Sequence, residues 1–191
     1  MESTLHIAAY PVTKDRWEDF QNLFGERGAC AGCWCMYWRL SHSEFQAQKG
    51  GKNKSVIKTI IKDSSVPGII GYLVGKPIGW CSVAPRNEFP RLERSRILKR
   101  IDDKPVWSIV CLFIDKNFRN QGISIEMIKA ASAYAATQGA NIVEGYPVDP
   151  HNKSYPPVFA YTGIASAFIK AGFREVGRNS PKRPIMRYYI R

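Results

Sequence analysis

The chain reads as blocks of two hydrophobic periods separated by glycine, proline and polar turns. Residues 107–114, Trp-Ser-Ile-Val-Cys-Leu-Phe-Ile, form a nearly unbroken apolar run between Pro105 and the polar residues 115–117. A half-buried strand would alternate, so this run predicts a strand covered on both faces. A helix is expected over 122–137, where Ile125, Ile128, Ala131 and Ala135 form a stripe at roughly helical period with Met127 at its edge. Upstream, 5–12 alternates loosely as a first strand. Thr13 can cap a helix over 14–24 that gathers Trp17, Phe20, Leu23 and Phe24 on one face. Residues 25–32 break the pattern. The chain turns helical again from Ser43, is interrupted at Gly50-Gly51, and carries Val56, Ile57, Ile60 and Ile61 at helical spacing over 54–62. Two strands, 67–74 and 77–84, meet around Gly75-Lys76 as a hairpin. Residues 85–100 suggest a short basic surface helix, or a rim beside a substrate site. Downstream come a strand over 141–148, a proline-bearing loop over 149–161 with His151, Tyr155 and Tyr161, a helix over 164–171, and strands over 173–177 and 183–190. This order predicts an α/β fold with one mixed sheet flanked by helices. At 191 residues, a single domain over 1–191 is the simplest organisation.

Between the central strand and its helix lies Arg119-Asn120-Gln121-Gly122-Ile123-Ser124. A strand that passes through a glycine-bearing turn into a helix N-terminus forms an anion site. The first helical N–H groups lack intrahelical partners, and the macrodipole places partial positive charge there. Gly122 allows a phosphate to approach the backbone.

Charge and cysteines narrow the classes. The net charge of +12 suits a nucleic-acid binder, a polyphosphate cofactor or simply a solvated basic surface. No recognised nucleic-acid motif is present, so no nucleic-acid partner is expected. No apolar run reaches the ~20 residues that span a bilayer, and the N-terminus has no secretory pattern. The expectation is a cytoplasmic protein with no membrane partner. Cys81 and Cys111 lie in apolar strands. Cys30, Cys33 and Cys35 cluster closely, but structural zinc takes four ligands and His42 is the only nearby fourth candidate. No metal is expected.

Some side chains are candidates for chemistry. Glu144 lies in Ile-Val-Glu-Gly-Tyr-Pro-Val, a strand otherwise fit for burial. An unpaired carboxylate there would be costly, so it is expected to be paired with an arginine, solvated or functional. Period two places Tyr146 on the same face. The aromatic stretch 33–40 brings Trp34 and Trp38, which with Trp80 are either core or the wall of an acceptor pocket.

The strand-turn-helix around Gly122 resembles the GNAT superfamily of acyl-CoA-dependent N-acetyltransferases. Arg119-Asn-Gln-Gly-Ile-Ser124 fits that superfamily's Arg/Gln-x-x-Gly-x-Gly/Ala with Ser in the last small position, and Phe118 stands in the usual aromatic slot. Phe168-Ile-Lys-Ala-Gly-Phe173 is similar to its Tyr-x-x-x-Gly-Phe helix end. Together the motifs cover roughly the C-terminal half. The resemblance implies a GNAT fold in which the central strand and the strand at 141–148 splay apart to admit pantetheine. It implies acetyl-CoA as cosubstrate and direct transfer to an amine of a small molecule or peptide. Backbone groups of Leu112, Phe113 and Ile114 would pair with pantetheine, and Arg119, Asn120, Gln121, Gly122, Ile123 and Ser124 would cradle the pyrophosphate. Glu144, or else Glu88 on the loop after the hairpin, would be the base. Phe168 replaces the family's tyrosine and Tyr161 a frequent asparagine, leaving Tyr146 or Tyr161 as substitutes for the acid, or water as the proton donor to the thiolate. The alternative is a noncatalytic acyl-CoA-binding or sensing domain. A homodimer is an option.

Overall fold

The computed structural model describes residues 6–150 and 159–190. Its strands are β1 (Ala8–Pro11), β2 (Gly68–Leu73), β3 (Lys76–Pro85), β4 (Trp107–Ile114), β5 (Ile142–Gly145), β6 (Arg174–Arg178) and β7 (Pro184–Tyr189). They form one seven-stranded sheet in the order β1-β2-β3-β4-β5-β7-β6. Every neighbouring pair is antiparallel except β4–β5. The helices are α1 (Trp17–Phe24), α2 (His42–Ala47), α3 (Gly51–Lys62), α4 (Pro90–Glu93), α5 (Ile123–Thr137) and α6 (Ala165–Lys170). The mixed α/β sheet expected from the periodicity is therefore present. His151 and Tyr155 of the expected loop lie outside the described residues.

Local chemistry accounts for the boundaries. The β2–β3 hairpin turns at Val74 and Gly75, both at positive φ (49° and 74°), the conformation that the twist of a two-residue turn demands. Helix α2 begins one residue before the expected Ser43 because Ser41 and Glu44 form a reciprocal capping box. Thr13 does not act as a side-chain cap. It precedes a short 3-10 turn, Lys14–Arg16, and its hydroxyl contacts the Asp15 carboxylate instead. The basic stretch after β3 holds only a 3-10 turn, Arg86–Glu88, and the single turn α4.

Each face of the sheet carries a core. On one face Ile78, Val83, Ile109 and Leu112 pack against Ile123, Met127, Ile128 and Ala131 of α5 and Phe168 of α6. On the other, Ile70 and Trp80 pack against Phe20 and Phe24 of α1, Trp34, Cys35 and Ile57 of α3. Next to this lies a third group, with Trp38, Phe89, Leu92, Val110, Tyr146 and Ile185. Strand β4 is thus covered on both sides.

The register contains one irregularity that matters for function. Cys111 pairs with Ser82 and Ile109 with Val83, so Val110 is an extra residue in β4. This bulge puts Val110 and Cys111 on the same face, with α1 and the 33–40 segment, and returns Leu112 to the α5 face.

Candidate functional site

The bulge coincides with the place where β4 leaves β5. The two strands pair at Trp107↔Val143, Ser108↔Glu144 and Ile109↔Gly145, and no further. β5 ends there, while β4 runs on to Ile114. The resulting opening is lined by chain from the segment before α6. The Leu112 amide donates to the Tyr161 carbonyl at 2.6 Å. Val148 forms a parallel bridge with Ile164, its amide donating to the Gly163 carbonyl at 2.8 Å. The Phe168 ring sits beneath: a Cβ on Gly145 would lie 2.1 Å from its edge, and one on Gly163 2.7 Å from it.

At the far end of β4 the chain enters the turn before α5. Asp115 accepts from the Asn117 amide at 2.9 Å, and Arg119 Nε donates back to the Ile114 carbonyl at 3.0 Å. Gln121 Nε2 donates to the Asn117 carbonyl at 3.2 Å. These contacts fix a loop in which Asn120 (φ 60°) and Gly122 (φ 77°) are left-handed, and Gly122 is the N-cap of α5. A Cβ built on Gly122 meets nothing within 4 Å, so the approach to this helix end is open. Residues 119–122 are exposed, Ser124 is half-buried, and the Ile123 side chain is in the core. Ile123 can therefore offer a ligand only its backbone.

Beyond the closed end of the opening lies a buried charge network. Glu144 is 1 % exposed. Its Oε1 accepts from Arg86 Nη1 at 2.9 Å and from the Tyr146 hydroxyl at 2.6 Å; its Oε2 accepts from Arg187 Nε at 2.7 Å. Arg187 also grips Asp102 through two bonds of 2.8 and 3.0 Å. Arg86 donates onward to Glu93, to the Leu98 carbonyl and to the Tyr146 hydroxyl. Register produces this: Ser108 and Arg187 are the cross-strand partners of Glu144 on either side. Burial, reinforced by the Glu144 charge, pushes the Tyr146 phenol well above its usual range.

Residues 34–155, more than half of the chain, match the Acetyltransferase (GNAT) family. The chain belongs to that family. Solved structures agree on the fold. The PaiA N-acetyltransferase of Thermoplasma acidophilum, in complex with coenzyme A, is 13 % identical with a TM-score of 0.53, over 97 % of this chain and 99 % of that one. A GNAT acetyltransferase of Listeria monocytogenes is 9 % identical with a TM-score of 0.57, over 100 % and 98 %. The aminoglycoside N-acetyltransferase AAC(6')-Iy, in complex with coenzyme A, is 16 % identical with a TM-score of 0.54, over 91 % of both chains. Comparison of the sequence with curated proteins gives no match.

Within this GNAT domain the expected site residues separate into groups. The 119–124 turn and the β4 end lie together at one end of the opening. Glu144 and Tyr146 are tied into the buried network: both carboxylate oxygens are held by guanidinium groups, and Tyr146 is fully buried with its hydroxyl between Arg86, Glu144 and Ser108. Such a carboxylate cannot collect a proton without breaking an ion pair, so the arginine-partner alternative describes Glu144. Glu88 is exposed, is paired with Arg39 at 2.7 Å, and follows Pro85, the partner of Trp107 at the start of β4. It lies at the end of β4 opposite the 119–124 turn.

The tryptophans are core residues. Trp80 is fully buried, with Nε1 donating to Cys35 Sγ at 3.2 Å. Trp34 is 2 % exposed and stacks on Phe24 and Trp17. Trp38 is different. It packs beside Val110, with Tyr37, Cys111 and Tyr161 at the edge of the same cluster, and its buried Nε1 has no hydrogen-bond partner. Neighbouring Arg39 gives Nη1 to Glu88 and Nη2 to the Pro67 carbonyl, yet its buried Nε is unpartnered too. The aromatic stretch marks Trp38 as a pocket-wall candidate, but no sequence pattern marks its N–H or Arg39 Nε as unbonded.

Arg86 and Arg187 were also missed. Arg187 had a readable signal, since alternation over 183–190 puts it on the inward face with Ile185. Among the described residues, no group of three or more His, Cys, Asp or Glu could hold a metal ion, and no helix is long and apolar enough to cross a membrane.

Proposed function

We propose that this GNAT protein transfers an acetyl group from acetyl-CoA to an amine by direct attack. One observation carries the reading: β4 parts from β5 at the Val110 bulge and leads straight to the open, left-handed Gly122 at the N-terminus of α5. That geometry supports a thioester at the bulge and a pyrophosphate at the helix end. Arg119, Asn120, Gln121, Gly122, the Ile123 amide and Ser124 would hold the phosphates, and Leu112 to Ile114 would align pantetheine. The Tyr161 carbonyl must release the Leu112 amide for this, which then becomes a donor for pantetheine.

The amine nitrogen forms the new C–N bond, the C–S bond breaks, and the thiolate needs a proton. Tyr161 is the acid in this reading. Burial pushes its phenol up, so it is protonated at neutral pH. With Glu144 and Tyr146 held in the ion network, Glu88 is the remaining carboxylate candidate for a base. If Glu88→Gln leaves turnover intact, the amine arrives neutral and positioning does the work.

A panel of amines assayed with acetyl-CoA for thiol release is the test. Thiol release with at least one amine is the expected result. A second reading, an acyl-CoA-binding domain without turnover, is favoured by Phe168 in place of a proton donor. It requires coenzyme A binding in calorimetry with no thiol release for any amine.

A further inference from the structure

Helix α3 and the turn before it carry charge of one sign only. Residues 45–62 hold Lys49, Lys52, Lys54, Lys58 and Lys62 and no aspartate or glutamate. Ion pairs elsewhere are made by arginines and by Lys129; among the described residues, none of these five lysines has a carboxylate partner. Two of them are laid on indole faces instead. Lys54 Nζ lies 5.1 Å over the Trp34 ring and Lys58 Nζ 5.1 Å over the Trp17 ring, and the two rings stack at 6.4 Å. A ring face holds an ammonium group in place and leaves its charge unneutralised. Lys54, Lys58 and Lys62 stand at i, i+4 and i+8, on one stripe of the helix, where like charges repel. Gly50 gives α3 no side-chain cap, so the helix dipole adds to the positive field at that end.

Aromatic contacts join this face to the opening between β4 and β5. The Tyr161 ring meets Tyr37 at 5.9 Å, Tyr37 meets Phe45 of α2 at 5.4 Å, and Lys49 Nζ lies 5.6 Å over Phe45. Lys49 is therefore within about five residues of extended chain from Tyr161, at about 3.3 Å per residue. Beyond it, Lys54, Lys58 and Lys62 follow along the helix axis at steps of about 6 Å. In an extended peptide alternate side chains share one side and repeat at about 6.6 Å. The two periods match.

We propose that α3 docks an acidic peptide, the distal part of a polypeptide acceptor whose amine is acetylated at the opening. The inference rests on the acetyl-transfer reading above. The peptide carries aspartate or glutamate at every second position, beginning about five residues from the reacting amine. Its carboxylates meet ammonium groups that the indole faces already position, which lowers the side-chain entropy lost on pairing. The unneutralised charge also draws such an acceptor in from solution. A bilayer is a poorer match. Helices that lie on a membrane bury an apolar face in it, and no large apolar side chain of α1, α2 or α3 is exposed.

The test is fluorescence anisotropy with an N-acetylated, fluorescein-labelled serine peptide that has aspartate at every second position of its distal half. Its blocked amine separates docking from turnover. Saturable binding is expected, and none for the same peptide with asparagine in place of aspartate. Each exposed ion pair is worth about two- to fivefold in affinity, so Lys54→Gln, Lys58→Gln and Lys62→Gln together should weaken binding about tenfold or more. Arginine at the same three positions should retain it. With its amine free, the acidic peptide should show a KM about tenfold below that of the asparagine peptide at equal kcat. Thiol release from small amines without peptide binding would overturn this proposal alone. Peptide binding with no thiol release from any amine would instead sink the transfer reading, with the docking face left standing. Binding that survives the triple glutamine change would overturn the proposal. So would displacement of the peptide more readily by oligothymidylate or by phosphatidylserine vesicles than by its own unlabelled copy.

Discussion

The amide of Leu112 and the carbonyl of Tyr161 are bonded at 2.6 Å across the opening between β4 and β5. The N–H expected to meet pantetheine is therefore occupied by the protein's own chain. Cofactor binding on this track must exchange one backbone hydrogen bond for another. Nuclear magnetic resonance on saturation with coenzyme A is the check. The Leu112 amide resonance should shift while that amide stays protected from exchange, its donor having a new acceptor. An unmoved Leu112 resonance in the bound protein would place pantetheine elsewhere.

Glu144 is held by two arginines and a tyrosine, all nearly fully buried. Glu144→Gln leaves Arg86 and Arg187 each short of a countercharge. Breaking a buried pair on one side costs about 3–5 kcal/mol. Denaturant unfolding should show that loss, with turnover of the remaining folded protein near normal. A stable variant with turnover down about 10²–10⁴-fold would restore the general-base role.

Legibility in the sequence differed between fold and site. The nearly unbroken apolar run at 107–114 and the stripe at Ile125, Ile128, Ala131 and Ala135 gave β4 and α5 nearly to the residue, because burial on both faces and on one helical face leave distinct periods. The same run hid the bulge: an apolar strand looks identical whether Val110 alternates or is inserted. Glu144 was visible as an anomaly, but its partners depend on cross-strand register, which brings in Arg187 from β7 and Arg86 from beyond β3. The Tyr161–Leu112 bond joins backbone atoms and leaves no mark on side-chain pattern at all.

Phe168 props the opening through two glycines. Gly145→Ala would place a methyl group 2.1 Å from its ring, and overpacking of this kind costs about 1–3 kcal/mol. Phe168→Leu in the same chain should recover part of the loss. A double-mutant cycle by denaturant unfolding measures the coupling. Simple additivity of the two changes would contradict the contact.

Acid should loosen the network from its rim. Hydrogen bonds from Arg187 hold the Asp102 carboxyl below its ordinary value of 3.8. A folded-state pKa below the unfolded one gives stability that is full above the unfolded value and is lost as pH falls through the folded one. The gap in unfolding midpoint between wild type and Asp102→Asn should be widest at neutral pH and shrink in acid below the ordinary aspartate range. A gap that does not change with pH would mean that Asp102 contributes shape rather than charge.

The account stands most directly on the helix end at Gly122, which is open to a phosphate and is left-handed at φ 77°. Gly122→Val puts a branched side chain into that approach and costs about 1–2 kcal/mol in backbone strain, well within what a domain tolerates. Titration calorimetry with coenzyme A, on wild type and on a Gly122→Val protein shown to be folded by circular dichroism, is the decisive measurement. The account predicts saturable binding to wild type and none to the variant. Equal affinity in the two proteins would contradict it.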